Sequence, residues 1–144
     1  MTKERGRMAL GVATVTLVAP DYAPAIAFYV GALGFELVED TPLGGGKRWV
    51  VVAPPGGFGA RLLIARADGP SQQAAIGAQT GGRVFLFLET DDFDRDHAAM
   101  TAAGVVFEET PRDEPYGRVA VFRDPFGNRW DLIEPASPGS GARP

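Results

Sequence analysis

The chain has 144 residues, 45% hydrophobic and 22% charged, with a formal net charge of −4, a globular composition long enough to bury a core unaided. It has no cysteine and one histidine, His97, which excludes disulfides, thiolate metal sites, cysteine nucleophiles and any site needing two imidazoles from one chain. The acidic balance offers no basic excess for nucleic acid, and no apolar run approaches the roughly 20 residues of a membrane span, so a cytoplasmic protein with neither kind of partner is expected.

Residues 1–9 form a tail whose Lys3, Arg5 and Arg7 precede no apolar stretch, unlike a secretion signal. The apolar run VATVTLVAP then reads as a strand and leads to Asp21, a helix N-cap with Pro24 in the first turn. Ile26, Tyr29, Val30 and Leu33 make the apolar stripe of that helix, and Gly34 suits its left-handed end. GFELVEDTP, KRWVVVAPPGG and RLLIA follow as three strands, closing a first unit over 10–66. The linker 67–81 is small and polar, and its QQAAIGAQ stretch has the composition of a short helix.

The second unit, 82–135, repeats the series. RVFLFLET reads as a strand, and Asp91 or Asp92 caps a helix whose Phe93, His97, Met100 and Ala103 share one face. That spacing sets His97 against the sheet as a core residue. GVVFEETP and GRVAVFRDPFG are strands, DPFGN is a turn signal, and RWDLIE is the closing strand. Residues 136–144 are Gly/Pro-rich, the composition of a disordered tail. Arg48 and Arg118, Pro55 and Pro125, and Gly57 and Gly127 recur at a spacing of seventy. The expectation is therefore an α+β fold of tandem βαβββ repeats, forming one curved mixed sheet with a concave ligand cup and helices on the convex side.

The doubled unit, Asp21-Tyr22 followed by AIAFY and LGFEL, and the closing DPFGNRWDLIEP resemble the vicinal oxygen chelate superfamily of glyoxalase I, bleomycin-resistance proteins, fosfomycin-resistance enzymes and extradiol dioxygenases. The resemblance covers residues 10 to 135. It implies metal-ligand positions on the first and last strand of each half, which fall here on Thr14, Leu63, Phe85 (or Val84) and Asp131. Only Asp131 is a carboxylate, and one donor in four does not hold a transition metal. No metal or other cofactor is expected on that count. Glu89 shares the parity of Phe85 and Phe87, so Glu89 and Asp131 are the candidate pair for a general base or a hard-cation site.

By parity Arg61 and Arg129 also face the cup, where two guanidiniums suit an anionic group, or else neutralise Asp131 and Glu89. Phe85, Phe87 and Phe122 supply apolar walls for an aromatic ligand. The expected ligand-binding set is thus Thr14, Arg61, Phe85, Phe87, Glu89, Phe122, Arg129 and Asp131. The resemblance further implies a homodimer with paired cups. Three functions compete: a bleomycin-resistance-like binder of a small anionic or aromatic molecule, a lyase, isomerase or dioxygenase relative acting through Glu89 and Asp131, and an accessory fold that binds nothing.

Overall fold

A computed structural model describes residues 9–56 and 58–137; the proposed tails 1–9 and 136–144 lie almost entirely outside them. In the first half, strand β1 (Thr14–Ala19) leads through a turn into α1 (Tyr22–Ile26), followed by β2 (Glu36–Gly44), β3 (Lys47–Ala53) and β4 (Arg61–Arg66). They form a four-stranded sheet in the order β1-β4-β3-β2, with β1 and β4 parallel and the others antiparallel. Asp21 caps α1 by accepting from the Tyr22 amide, as its position predicts. Beyond Ile26 the helix widens into a π-helical turn, Ala27–Ala32. This rotates the predicted stripe, so that Phe28 and Tyr29 are buried while Ile26, Val30 and Leu33 pack only partly against the core. Gly34, at φ 79°, ends it.

The linker carries a short helix, α2 (Pro70–Ala75). The second half contains β5 (Leu86–Glu89), α3 (Phe93–Ala102), β6 (Val106–Phe107), β7 (Arg112–Glu114), β8 (Gly117–Arg123) and β9 (Arg129–Pro135). Its sheet runs β5-β9-β8-β6, with β7 also on β8. The expected third strand is thus divided into β6 and β7. Asp92, rather than Asp91, caps α3 by accepting from the Arg95 amide. The repeat extends to contacts: Arg48 lies over the Tyr22 ring at 5.1 Å and Arg118 over the Phe93 ring at 5.5 Å.

The architecture is the mixed α+β arrangement of curved open sheets that the repeat implies. Within one chain, however, the two halves form separate sheets, and the single continuous sheet expected from the repeat is divided between β1 and β5. The helix-side faces of both sheets turn inward onto one core. Leu17, Val50, Val52, Leu62 and Ile64 of the first half share it with Phe93, Met100, Phe122, Trp130 and Leu132 of the second. Tyr29 lies 5.8 Å from Trp130 across the seam. The His97 ring centre lies 5.4 Å from that of Phe93, stacked on it, and 4.3 Å from that of Phe107, with His97 half-buried beside the core rather than within it.

Candidate functional site

Because both helix sides face inward, the opposite faces of the two sheets point outward. On the first sheet, core residues Val50, Val52, Leu62 and Ile64 fix the parity, leaving Trp49, Val51, Arg61, Leu63, Thr14 and Thr16 on the outer face. On the second, Ala120, Phe122, Trp130 and Leu132 are inward. Val119, Val121, Arg129, Asp131 and Ile133 are therefore outward, joined by Phe87 and Glu89 of β5.

The candidate residues divide accordingly. Phe87, Glu89, Arg129 and Asp131 share one face, with Phe87 beside Asp131 and Glu89 one step along beside Ile133. Thr14 and Arg61 pair with each other on the other sheet. Phe85 sits just before β5, half-buried against the core, its amide donating to the Arg129 carbonyl at 2.7 Å. Phe122 is a correction: it is fully buried on the helix side and stacks on Trp130 at 5.8 Å, so it is not a cup wall. The β8–β9 hairpin pairs Phe122 with Trp130 and Val121 with Asp131. The apolar wall beside Asp131 is Val121, which sequence reasoning missed although counting back across the DPFGN turn gives this pairing.

Asp131 occupies the centre of this face. It keeps 9% of its accessible surface, and its Oδ1 finds no hydrogen-bond partner among the described residues. Burial pushes its carboxyl above the usual range, an effect that Arg112 opposes, Glu109 reinforces and Arg129 opposes. The nearby arginines are engaged elsewhere. Arg129 donates through Nε and Nη2 to Glu108 at 3.0–3.2 Å and through Nη1 to the Gly82 carbonyl at 3.1 Å. Arg112 donates to Glu109 at 3.1 Å and to Glu114 at 2.7 Å. Glu108 also accepts from Arg123, and Arg129 above all holds its carboxyl below the usual range. Arg129 thus neutralises Glu108, where parity alone suggested Asp131 or Glu89. Glu108, Glu109 and Arg112 carried no pattern that singled them out: the two glutamates lie in the irregular stretch between β6 and β7, and Arg112 opens the short β7.

The donor set does not fit the metal site of the family. Register sets Thr16 beside Leu63 and Phe87 beside Asp131, so shifting either first-strand position by two residues brings in no better ligand than Thr14 or Phe85. Among the described residues no three His, Asp or Glu side chains are grouped to hold a metal. A cavity of ≈ 1070 Å³ opens at the seam of the halves, lined by Ala32, Leu33, Leu88, Met100 and Leu132 and by the candidate Glu89, with Asp91, Arg95, Asp96 and Glu134 at its edge. Those charged groups bond to one another or to the backbone, and the buried side-chain atoms without a hydrogen-bond partner among the described residues are Asn128 Oδ1 in the DPFGN turn and Asp131 Oδ1 on the outer face. No described helix is long and apolar enough to cross a membrane.

A doubled βαβββ chain with an open, curved sheet face defines a protein of the vicinal-oxygen-chelate type. The Glyoxalase/Bleomycin resistance protein/Dioxygenase superfamily model matches residues 11–132, and the chain belongs to that family. It is 52% identical over 128 residues to an uncharacterized protein of Shewanella frigidimarina, covering 88% of this chain and 95% of that one. Among solved structures it is similar to TnmS3, an antibiotic binding protein from Streptomyces sp. CB03234 (34% identity, 90% of this chain and 100% of that one, TM-score 0.71). It is also similar to UcmS2 (27% identity, 88% and 99% coverage, TM-score 0.77).

Proposed function

We propose that the protein binds a small, partly aromatic molecule on these outer faces, as a non-metal member of its family. The observation that carries this reading is the makeup of the second outer face. Phe87, 62% exposed, gives apolar surface there, with Val121 and Ile133 nearly buried at 5% and 7%, around one carboxylate, Asp131, whose Oδ1 has no hydrogen-bond partner among the described residues. Apolar walls with few fixed polar groups are the usual makeup of a small-molecule site. Likeness to the antibiotic binding protein TnmS3 supports the same class. A second copy completes the cup in this reading: β1 and β5 are edge strands, and Trp49, 40% exposed, and Phe87 leave apolar surface on both outer faces. A dimer that sets the first sheet of one chain beside the second sheet of its partner brings Thr14, Arg61 and Trp49 opposite Asp131.

A second reading rests on the same carboxylate. A buried Asp with a raised pKa and a free oxygen has the makeup of a general base, which keeps a metal-free isomerase or lyase acting through Asp131 and Glu89 in view. Elemental analysis and turnover assays test the proposal together. The protein purified without chelator is expected to hold no stoichiometric zinc, nickel or iron, and to show no turnover of the methylglyoxal–glutathione hemithioacetal with added Ni²⁺ or Zn²⁺. One equivalent of transition metal, or turnover above background, overturns it.

A further inference from the structure

The charge around Asp131 defines what the ligand presents to it. The outer face of the second sheet carries Glu108, Glu109 and Glu114 against Arg112, Arg123 and Arg129, and every one of these guanidiniums donates to one of those glutamates. The three glutamates and three arginines balance in number, which leaves Asp131, with Glu89 of β5 on the same face, as negative charge beyond that balance. Its side chain is nine-tenths buried, with an oxygen that finds no donor among the described residues. A buried acceptor without a donor is costly, and a ligand that supplies one recovers that cost on binding. An anionic ligand meets the opposite situation: it must displace a glutamate from Arg129 or Arg112 and then sit beside Asp131.

We infer that the ligand carries a cationic N–H donor, of the ammonium, amidinium or guanidinium class, that docks on the Asp131 carboxylate while its apolar body lies on Phe87 and Val121. The inference rests on the binding role proposed above and assigns the charge of the ligand, replacing the anionic alternative. Register supports the placement, since Phe87 and Val121 are the neighbours of Asp131 on its two sides. Charge-assisted hydrogen bonds are the strong ones in such a setting.

The test uses three probes of similar shape on the full-length protein: benzamidine, benzoate and ethylbenzene, titrated against ¹⁵N-labelled protein while the amides of β5 and β9 are followed by NMR. Benzamidine is expected to bind at least tenfold tighter than benzoate, and Asp131→Asn to remove that preference. Equal or tighter binding of benzoate overturns the inference, as does unchanged benzamidine affinity in Asp131→Asn. The wild-type preference is read without any variant, so the test survives a poorly folding mutant. Ethylbenzene separates the two levels. If it shifts these amides while the charged probes show no preference, only the charge assignment fails; if no probe shifts them, the binding face fails as well.

Discussion

The Tyr29 hydroxyl donates to Asp124 Oδ2 at 2.6 Å, joining the helix of the first half to the last hairpin of the second across 95 residues of sequence. The same hydroxyl accepts from Trp130 Nε1 at 3.1 Å. Asp124 also takes the Phe126 and Asn128 amides and the Asn128 side chain, so one buried carboxylate organises the DPFGN turn and the seam together. Tyr29→Phe keeps the ring and removes the bridge. It is expected to cost about 1–3 kcal/mol, because buried Trp130 and Asp124 each lose a partner. A lowered urea midpoint with an unchanged slope is the measurement.

The same contact sets a pH dependence. Burial, and after it the Asp124 carboxylate, pushes the Tyr29 hydroxyl far above its ordinary value near 10. Above that pH the unfolded chain releases the proton and the folded chain keeps it, so stability falls as pH rises past 10, by about 1.4 kcal/mol per unit for this group. In Tyr29→Phe the fall in stability between pH 10 and 11 becomes smaller by about 1 kcal/mol, because the unfolded hydroxyl is only half-ionised at the start of that interval. An unchanged slope contradicts a buried, protonated Tyr29.

The linker is fixed to the second half at one glycine. Gly77 has φ +71°, and a Cβ there would stand 2.0 Å from the Phe126 carbonyl oxygen. Both the left-handed backbone and the close approach exclude a side chain. Gly77→Ala is expected to cost more than about 2 kcal/mol. Gln79, two residues on, holds the Val18 backbone at both its amide and its carbonyl, so the variant also loosens the edge of β1. Hydrogen exchange at the Val18 amide should rise well above that of Leu17.

Much of this arrangement is legible from the residues. The spacing of seventy, the capping aspartates and the terminal glycines give two βαβββ units, because local chemistry fixes each element. The pairing of the halves is not legible. Nothing local to Tyr29 or Trp130 records that they meet, and the inward packing that separates the two sheets depends on that meeting. The site divides in the same way. Asp131, Arg129, Phe87 and Glu89 follow from strand parity, whereas Phe122 fails because its face is set by the register across the DPFGN hairpin, which pairs Val121 with Asp131 and Phe122 with Trp130. The partners of Arg129 and Arg112 come from an irregular segment with no period to read.

Exposed Trp49 and Phe87 and the edge strands β1 and β5 lead to an expectation about assembly. The protein is expected to elute as a dimer of about 30 kDa, twice the 15.2 kDa chain, by light scattering at micromolar concentration. Phe87→Lys sets a charge into the face that the partner covers and is expected to weaken the dimer while leaving the buried core of each chain intact. A mass near that of one chain in the wild type overturns the paired cup.

Asp131 gives the last expectation, one of stability against function. Burial raises its carboxyl and Glu109 adds to this, while the Arg112 and Arg129 charges oppose it without removing it. A raised folded-state value favours the protonated form. Its contribution to stability is therefore fully present below the unfolded value near 4 and is lost as pH rises through the folded one. Ionising Asp131 in the folded chain therefore leaves charge on a nearly buried carboxylate whose Oδ1 has no partner among the described residues. Asp131→Asn removes the charge at equal volume, so the variant is expected to be more stable than the wild type at pH 7, by up to about 1 kcal/mol. That gain should disappear below pH 4, where both side chains are neutral. Urea midpoints at pH 7 and pH 3.5 measure it. A variant less stable at pH 7 and equal at pH 3.5 shows instead that Arg112 and Arg129 stabilise the carboxylate in the folded chain. A carboxylate that costs stability in the free protein fits the binding role proposed for this face.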